Sequence, residues 1–229
     1  MKKFMLPLLI GITLFGCSQP KQTEEKSDKL NHLPDYVNLI LENYKFSNWD
    51  SVQSIGFDFN VEVGDRKVLR QWEWSPKTNN VQLIENGDTV NFQSGMLDTA
   101  IKIEYIADQK FINDKFWLLF PFQLAWDSNL TFVAHDPSPM TLDSTTVLPS
   151  FTVTYPSEGG YTPGDAYKVY YDKTGTLKEW HFFPGGATEA NVITTWEKIN
   201  GNVINFTPFH QNPKTGFALY FTTIYVKTI

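Results

Sequence analysis

Acid–base chemistry in this chain rests on few residues. Glu179 and His181 alternate along Lys178-Glu179-Trp180-His181, so in a strand they share one face, and Glu197 on a later stretch is placed to pair across the sheet. A carboxylate beside an imidazole is the minimum needed to move a proton, and a hydrolase acting through these three is one reading. Polar strand faces produce such trios routinely, however. The other histidines are His32, His135 and His210, and none of the four stands in the H-x-x-x-H or H-E-x-x-H spacing of a zinc site. No G-x-S-x-G elbow, phosphate-binding loop or dinucleotide fingerprint occurs, and the glycine pairs at 159–160 and 185–186 belong to turns between strands. The single cysteine, Cys17, excludes an internal disulfide. These residues call for no metal and no cofactor, and a non-enzymatic protein is expected.

The aromatic residues are the stronger signal. Trp72, Trp74, Phe116, Trp117, Phe120, Phe122, Trp126, Trp180 and Trp196 exceed what a thin β-sandwich needs to fill its core. In 111–126, FINDKFWLLFPFQLAW, apolar side chains fall on nearly every position. Such a segment has no clean polar face, so it is buried on several sides or closes over a cavity. The expectation is a lid over a hydrophobic-ligand site, lined by Phe116, Trp117, Phe120, Phe122 and Trp126, with Trp72 and Trp74 on the facing sheet. The alternative is a surface module binding glycan or protein, with tryptophans as a stacking platform. Solvent exposure of the rings separates the two.

The elements that position these residues are mostly strands. After Pro34, the residues Tyr36, Val37, Ile40, Leu41 and Tyr44 recur at helical spacing and predict an amphipathic helix packed on a sheet. The period then switches to two. Ile55, Phe57, Phe59, Val61 and Val63 alternate with polar neighbours or glycine; Gly64-Asp65 turns the chain; and Val68, Arg70, Trp72 and Trp74 share one side of the returning strand. Further strands follow at 81–85 and 89–93. The middle segment predicts a short helix, begun by Asn113 or Asp114 and ended by Pro121. Residues 135–149, rich in Pro, Asp, Ser and Thr, predict a loop, and strands resume from Phe151 to Lys227. The result is a mainly β, antiparallel protein of about ten strands with an N-terminal helix and a short helical insert.

The first residues concern location. Lys2 and Lys3 precede an apolar run, Phe4 to Phe15, too short to span a bilayer as a helix. The sequence Leu14-Phe15-Gly16-Cys17 resembles the lipobox of bacterial lipoproteins. That resemblance implies cleavage before Cys17 and acylation of its thiol and amino group, which leaves no thiolate for catalysis. Residues 1–16 are then a signal peptide, 17–33 a lipidated cysteine and polar tether, and 34–229 one domain. The net charge of −6, more negative once Lys2 and Lys3 are removed, argues against nucleic acid as a partner. Membrane contact is expected through the lipid anchor.

The order of lipobox, tether, helix, meander, helical insert and second meander resembles the lipoprotein-localisation fold of the LolA and LolB type. It also resembles uncharacterised lipoproteins of similar length that carry Asn48-Trp49-Asp50-Ser51, Phe116-Trp117-Leu118-Leu119-Phe120-Pro121-Phe122, and Tyr171-Asp172 followed by Lys178-Glu179-Trp180. The resemblance implies an incomplete β-barrel whose apolar concave face, under a helical lid, takes acyl chains or another hydrophobic ligand. It places the protein in the bacterial envelope, at the outer membrane, with the side of the membrane open.

Overall fold

The structure is a computed structural model that describes residues 32–96, 100–158 and 163–229. Cys17 and the leader expected over 1–16 lie outside these residues. Leu33–Ile229 forms one compact unit.

Eleven strands, all paired antiparallel, form a single unclosed sheet: β1 (Val52–Val63), β2 (Arg66–Ser75), β3 (Asn80–Glu85), β4 (Asp88–Gln93), β5 (Thr131–Pro139), β6 (Val147–Thr154), β7 (Ala166–Tyr171), β8 (Leu177–Phe183), β9 (Val192–Asn200), β10 (Asn205–Asn212) and β11 (Phe217–Thr228). Their spatial order is β4-β3-β2-β1-β11-β10-β9-β8-β7-β6-β5. The first and last strands therefore meet inside the sheet, with Phe59 opposite Phe221 and Val61 opposite Leu219. The strands on either side of the central connection, β4 and β5, are the two free edges.

That topology dictates what the central connection must do. Helix α2 (Lys102–Trp126, 25 residues) has to carry the chain from one edge of the sheet to the other. A flat sheet of eleven strands would be about 48 Å wide, against about 37 Å for a straight helix of this length. The sheet curls instead. Rings on α2 meet Trp72 on β2, Phe92 on β4, Tyr167 on β7, Trp180 on β8 and Phe217 on β11, so one helix touches both halves of the concave face.

The concave face holds the core. Cross-strand pairing places Phe57, Trp72 and Leu83 in one row, and Phe151, Val169, Trp180 and Thr194 in another, all of them buried. Each fully buried Phe, such as Phe57, Phe120 or Phe122, contributes roughly 1.5–3 kcal/mol relative to its exposed state. Helix α1 (Asp35–Asn43) packs Val37, Ile40 and Leu41 into the same core, and its Tyr36 ring meets Phe151 and Tyr171. The β7–β8 turn passes so close to α1 that a Cβ on Gly175 would stand 2.7 Å from the Leu39 carbonyl oxygen.

Two expectations need correction. The loop expected over 135–149 is confined to 140–146: β5 continues to Pro139 and β6 begins at Val147. As an edge strand with most of its residues exposed, β5 has no wet-and-dry alternation, and its outer row of backbone groups tolerates Pro137 and Pro139. The insert is also longer than predicted. It begins at Lys102, where the Glu104 carboxylate accepts the Ile101 N–H at 3.0 Å, and Pro121 bends it instead of ending it.

Candidate functional site

The bend in α2 has a local cause. Pro121 has no N–H, so the Trp117 carbonyl four residues earlier loses its helical donor. Leu119 leaves helical geometry (φ −122°, ψ 24°), and the hydroxyl of Thr207 on β10 supplies the missing donor, 2.8 Å from the Trp117 oxygen and 2.9 Å from that of Leu118. In a straight helix Phe111 and Trp126 would stand about 22 Å apart. Here both reach the ring of Trp74, at centroid distances of 5.5 and 6.4 Å.

The bend sorts the expected lid rings into two groups. Phe120 is fully buried against Tyr167, Trp180 and Trp196, and Phe122 against Phe46, Trp49 and Trp126. Trp126 packs on Trp49 and Trp74, while Trp72 packs on Phe111. Phe116 and Trp117, only partly buried, instead line a cleft of 640 Å³ between α2 and strands β7 and β8. Its facing wall carries Tyr167, Trp180 and Phe182, whose ring planes lie within 12–18° of one another. The volume falls within the range of roughly 300–1,000 Å³ usual for small-molecule sites.

Polar groups collect where α2 ends. Tyr155 donates its hydroxyl to Asp127 at 2.6 Å, and burial together with that carboxylate raises the Tyr155 pKa. The Lys115 ammonium lies over the rings of Trp74, Phe111 and Trp126, 5.1–5.9 Å from their centroids. Burial lowers its pKa, and the charges of Asp127 and Asp108 oppose that shift.

On the other side of α2 a buried ion pair fastens the helix to β2. Arg70 donates from Nε and Nη2 to the two oxygens of Asp114, at 2.6 and 2.7 Å. The Trp72 indole N–H (2.9 Å) and the Asn113 amide (3.0 Å) complete the carboxylate's shell. Burial raises the Asp114 pKa, and Arg70 is the strongest influence against it. The signal for this pair was present in the sequence as a charge at position 70 on the side of β2 that carries Trp72 and Trp74; its partner was not.

The acid–base trio is only partly assembled. Glu179 and His181 are neighbours, with Nε2 2.7 Å from Oε1, on the face of β8 opposite Trp180. The carboxylate also accepts the backbone N–H groups of Thr141 and Leu142, both at 2.7 Å, and so clamps the β5–β6 connection onto the sheet. Burial by itself would raise the Glu179 pKa, but these donors, His181 first, hold it below the ordinary carboxylate range. Thr195, not Glu197, stands opposite Glu179; Glu197 lies two residues farther along β9 and is exposed. His210 lies on the concave side, fully buried, with its ring centroid 4.3 Å from that of Trp196; among the described residues neither nitrogen meets a partner in full hydrogen-bond geometry, and the backbones of Thr207 and Trp117 favour its charged form. Among the described residues, no group of three or more His, Cys, Asp and Glu gathers to hold a metal.

No protein-family model and no curated protein matches this chain. Among solved structures, a DUF1329 family protein from Desulfovibrio piger is similar with a TM-score of 0.44 and 6% identity, over 84% of this chain and 92% of that one. A domain from Vibrio parahaemolyticus assigned to outer membrane lipoprotein sorting is similar with a TM-score of 0.42 and 10% identity, over 80% of this chain and 90% of that one.

Proposed function

We propose that the protein is a membrane-anchored envelope lipoprotein, acylated at Cys17, that binds a hydrophobic, lipid-like ligand on the concave side of its open sheet. The observation that carries this reading is the 640 Å³ cleft beside α2, walled by Phe116 and Trp117 on the helix and by Tyr167, Trp180 and Phe182 on the sheet. Phe120, Phe122, Trp126, Trp72 and Trp74 hold the helix in place beside it. A glycan-stacking platform fits less well, because none of the seven tryptophans is exposed. The anchor is read from the lipobox alone.

A diazirine-bearing acyl lipid supplied to cells expressing the full chain tests this reading. After irradiation, crosslinks mapped by peptide mass spectrometry are expected in 109–129 and in β7–β8. Crosslinks confined to the N-terminal tether, with none in those peptides, would remove the cleft from consideration. Incorporation of a labelled fatty acid that disappears in Cys17→Ser tests the anchor separately.

A further inference from the structure

The cleft is not uniformly apolar, and the imbalance of its polar groups bears on what it holds. This inference rests on the reading of the cleft as a ligand site. Three donors carried by residues of its walls make no hydrogen bond among the described residues. The Lys115 ammonium is surrounded by rings and makes no hydrogen bond. The side-chain amide of Gln123, 5% exposed, makes none either. The Trp180 indole N–H, in a side chain 2% exposed, is also unsatisfied. An ammonium has three hydrogens to donate, a carboxamide two and an indole one, and buried donors are rarely left unpaired.

Two of the carboxylates at the cleft are already engaged. Asp127 takes the Tyr155 hydroxyl, and Asp165 takes the Gly185 N–H at 2.8 Å. Glu158 stands exposed at the rim. Three carboxylates against the one ammonium make the cleft lining negative. A ligand carboxylate or phosphate would bring a further like charge beside Asp127, at a cost the low-dielectric surroundings enlarge. An oxygen that accepts hydrogen bonds without carrying charge meets the donors and avoids that cost. The neighbouring rings of Phe116, Trp117, Tyr167 and Phe182 provide the apolar length for a hydrocarbon chain.

We infer that Lys115 and Gln123 select ligands whose fatty chain ends in a neutral carbonyl, an ester or amide, over free fatty acids and over ethers that lack the carbonyl. The carbonyl oxygen accepts from these two side chains of α2, and the chain runs along the aromatic wall toward Trp180.

The test uses the full chain on vesicles of diether phosphatidylcholine, which contain no ester of their own. The probe is a diazirine-bearing 1-O-alkylglycerol, displaced in turn by 1-monopalmitoylglycerol, 1-O-hexadecylglycerol and palmitate. The ester is expected to displace the probe from the cleft peptides at about one tenth the mole fraction of the ether, the size of one or two recovered hydrogen bonds, with palmitate weakest. Lys115→Met combined with Gln123→Leu keeps the side-chain volume and removes the donors. It is expected to bring the ester to the level of the ether, so that the two displace the probe at the same mole fraction. Equal displacement by ester and ether in the native chain, or strongest displacement by palmitate, overturns the inference and leaves the hydrophobic cleft standing. Absence of any labelling in the cleft peptides removes the reading on which it rests.

Discussion

The pair Arg70–Asp114 gives the most direct measure of how α2 is held. The Asp114 side chain is 0% exposed and that of Arg70 13%, so neither charge is compensated by bulk water. Asp114→Asn keeps the shape and an acceptor for the Trp72 indole, but it removes the charge facing the guanidinium. The nearest remaining carboxylate is that of Glu85, 3.9 Å from Arg70 Nη1 and itself paired with Lys110. Removing one member of a buried pair costs about 3–5 kcal/mol, and Glu85 places this case at the lower end, about 3 kcal/mol. For a chain of this size that is a fall in Tm of roughly 6–12 °C. Urea unfolding followed by tryptophan fluorescence measures it, since Trp72 and Trp74 lie at the joint. The double variant Arg70→Met with Asp114→Leu removes both charges and is expected to recover most of the loss, giving a large coupling energy in the cycle. A cost below 1 kcal/mol for Asp114→Asn would refute this account: the helix would then be held by the packing of Phe111, Phe120 and Phe122 alone. On vesicles, Asp114→Asn is also expected to speed exchange of the diazirine lipid, because α2 forms one wall of the cleft.

Two further perturbations probe the same helix. Thr207→Val takes from the Trp117 carbonyl the donor that replaces the missing N–H of Pro121 and is expected to cost roughly 1–3 kcal/mol by urea unfolding; in a Pro121→Ala background, where the residue 121 N–H returns to Trp117, the cost should shrink, and an unchanged cost would refute the role given to Thr207. Burial pushes the His210 pKa down to about 3 from its ordinary 6.5, so below pH 6.5 the unfolded chain takes up a proton that the folded one refuses. Stability should fall on acidification between those values by up to about 1.4 kcal/mol per pH unit, and His210→Phe should lessen the slope; identical slopes in the two proteins would show that His210 takes its proton while folded.

What could be read from the sequence divides along physical lines. The β1–β2 hairpin was legible because its causes are local: an alternation of period two from Ile55 to Val63 and the two-residue turn Gly64-Asp65, with Gly64 at φ 57°. Strand β5 was not, because an edge strand wet on both faces carries no alternation. That the helix bends at Pro121 and continues, with the freed carbonyl satisfied, depends on Thr207, 90 residues from that carbonyl, and the identity of Asp114 as partner to Arg70 depends on a helix crossing the whole sheet.

The lid marks the deeper boundary. That 111–126 is too apolar to stand free follows from composition, but Phe116 and Phe120, one helical turn apart and in contact at 5.3 Å, differ in that only Phe116 lines the cleft. A ring gains the same transfer free energy whether the atoms that cover it belong to the protein or to a ligand, so residue type alone does not separate core from site. Unpaired ammonium and amide groups do separate them: the core leaves indole and imidazole nitrogens unpaired at Trp74 and His210, but it seldom encloses an ammonium or amide without an acceptor. In this chain the residues that best distinguish the cleft from the core are therefore Lys115 and Gln123, two polar side chains set within an aromatic segment.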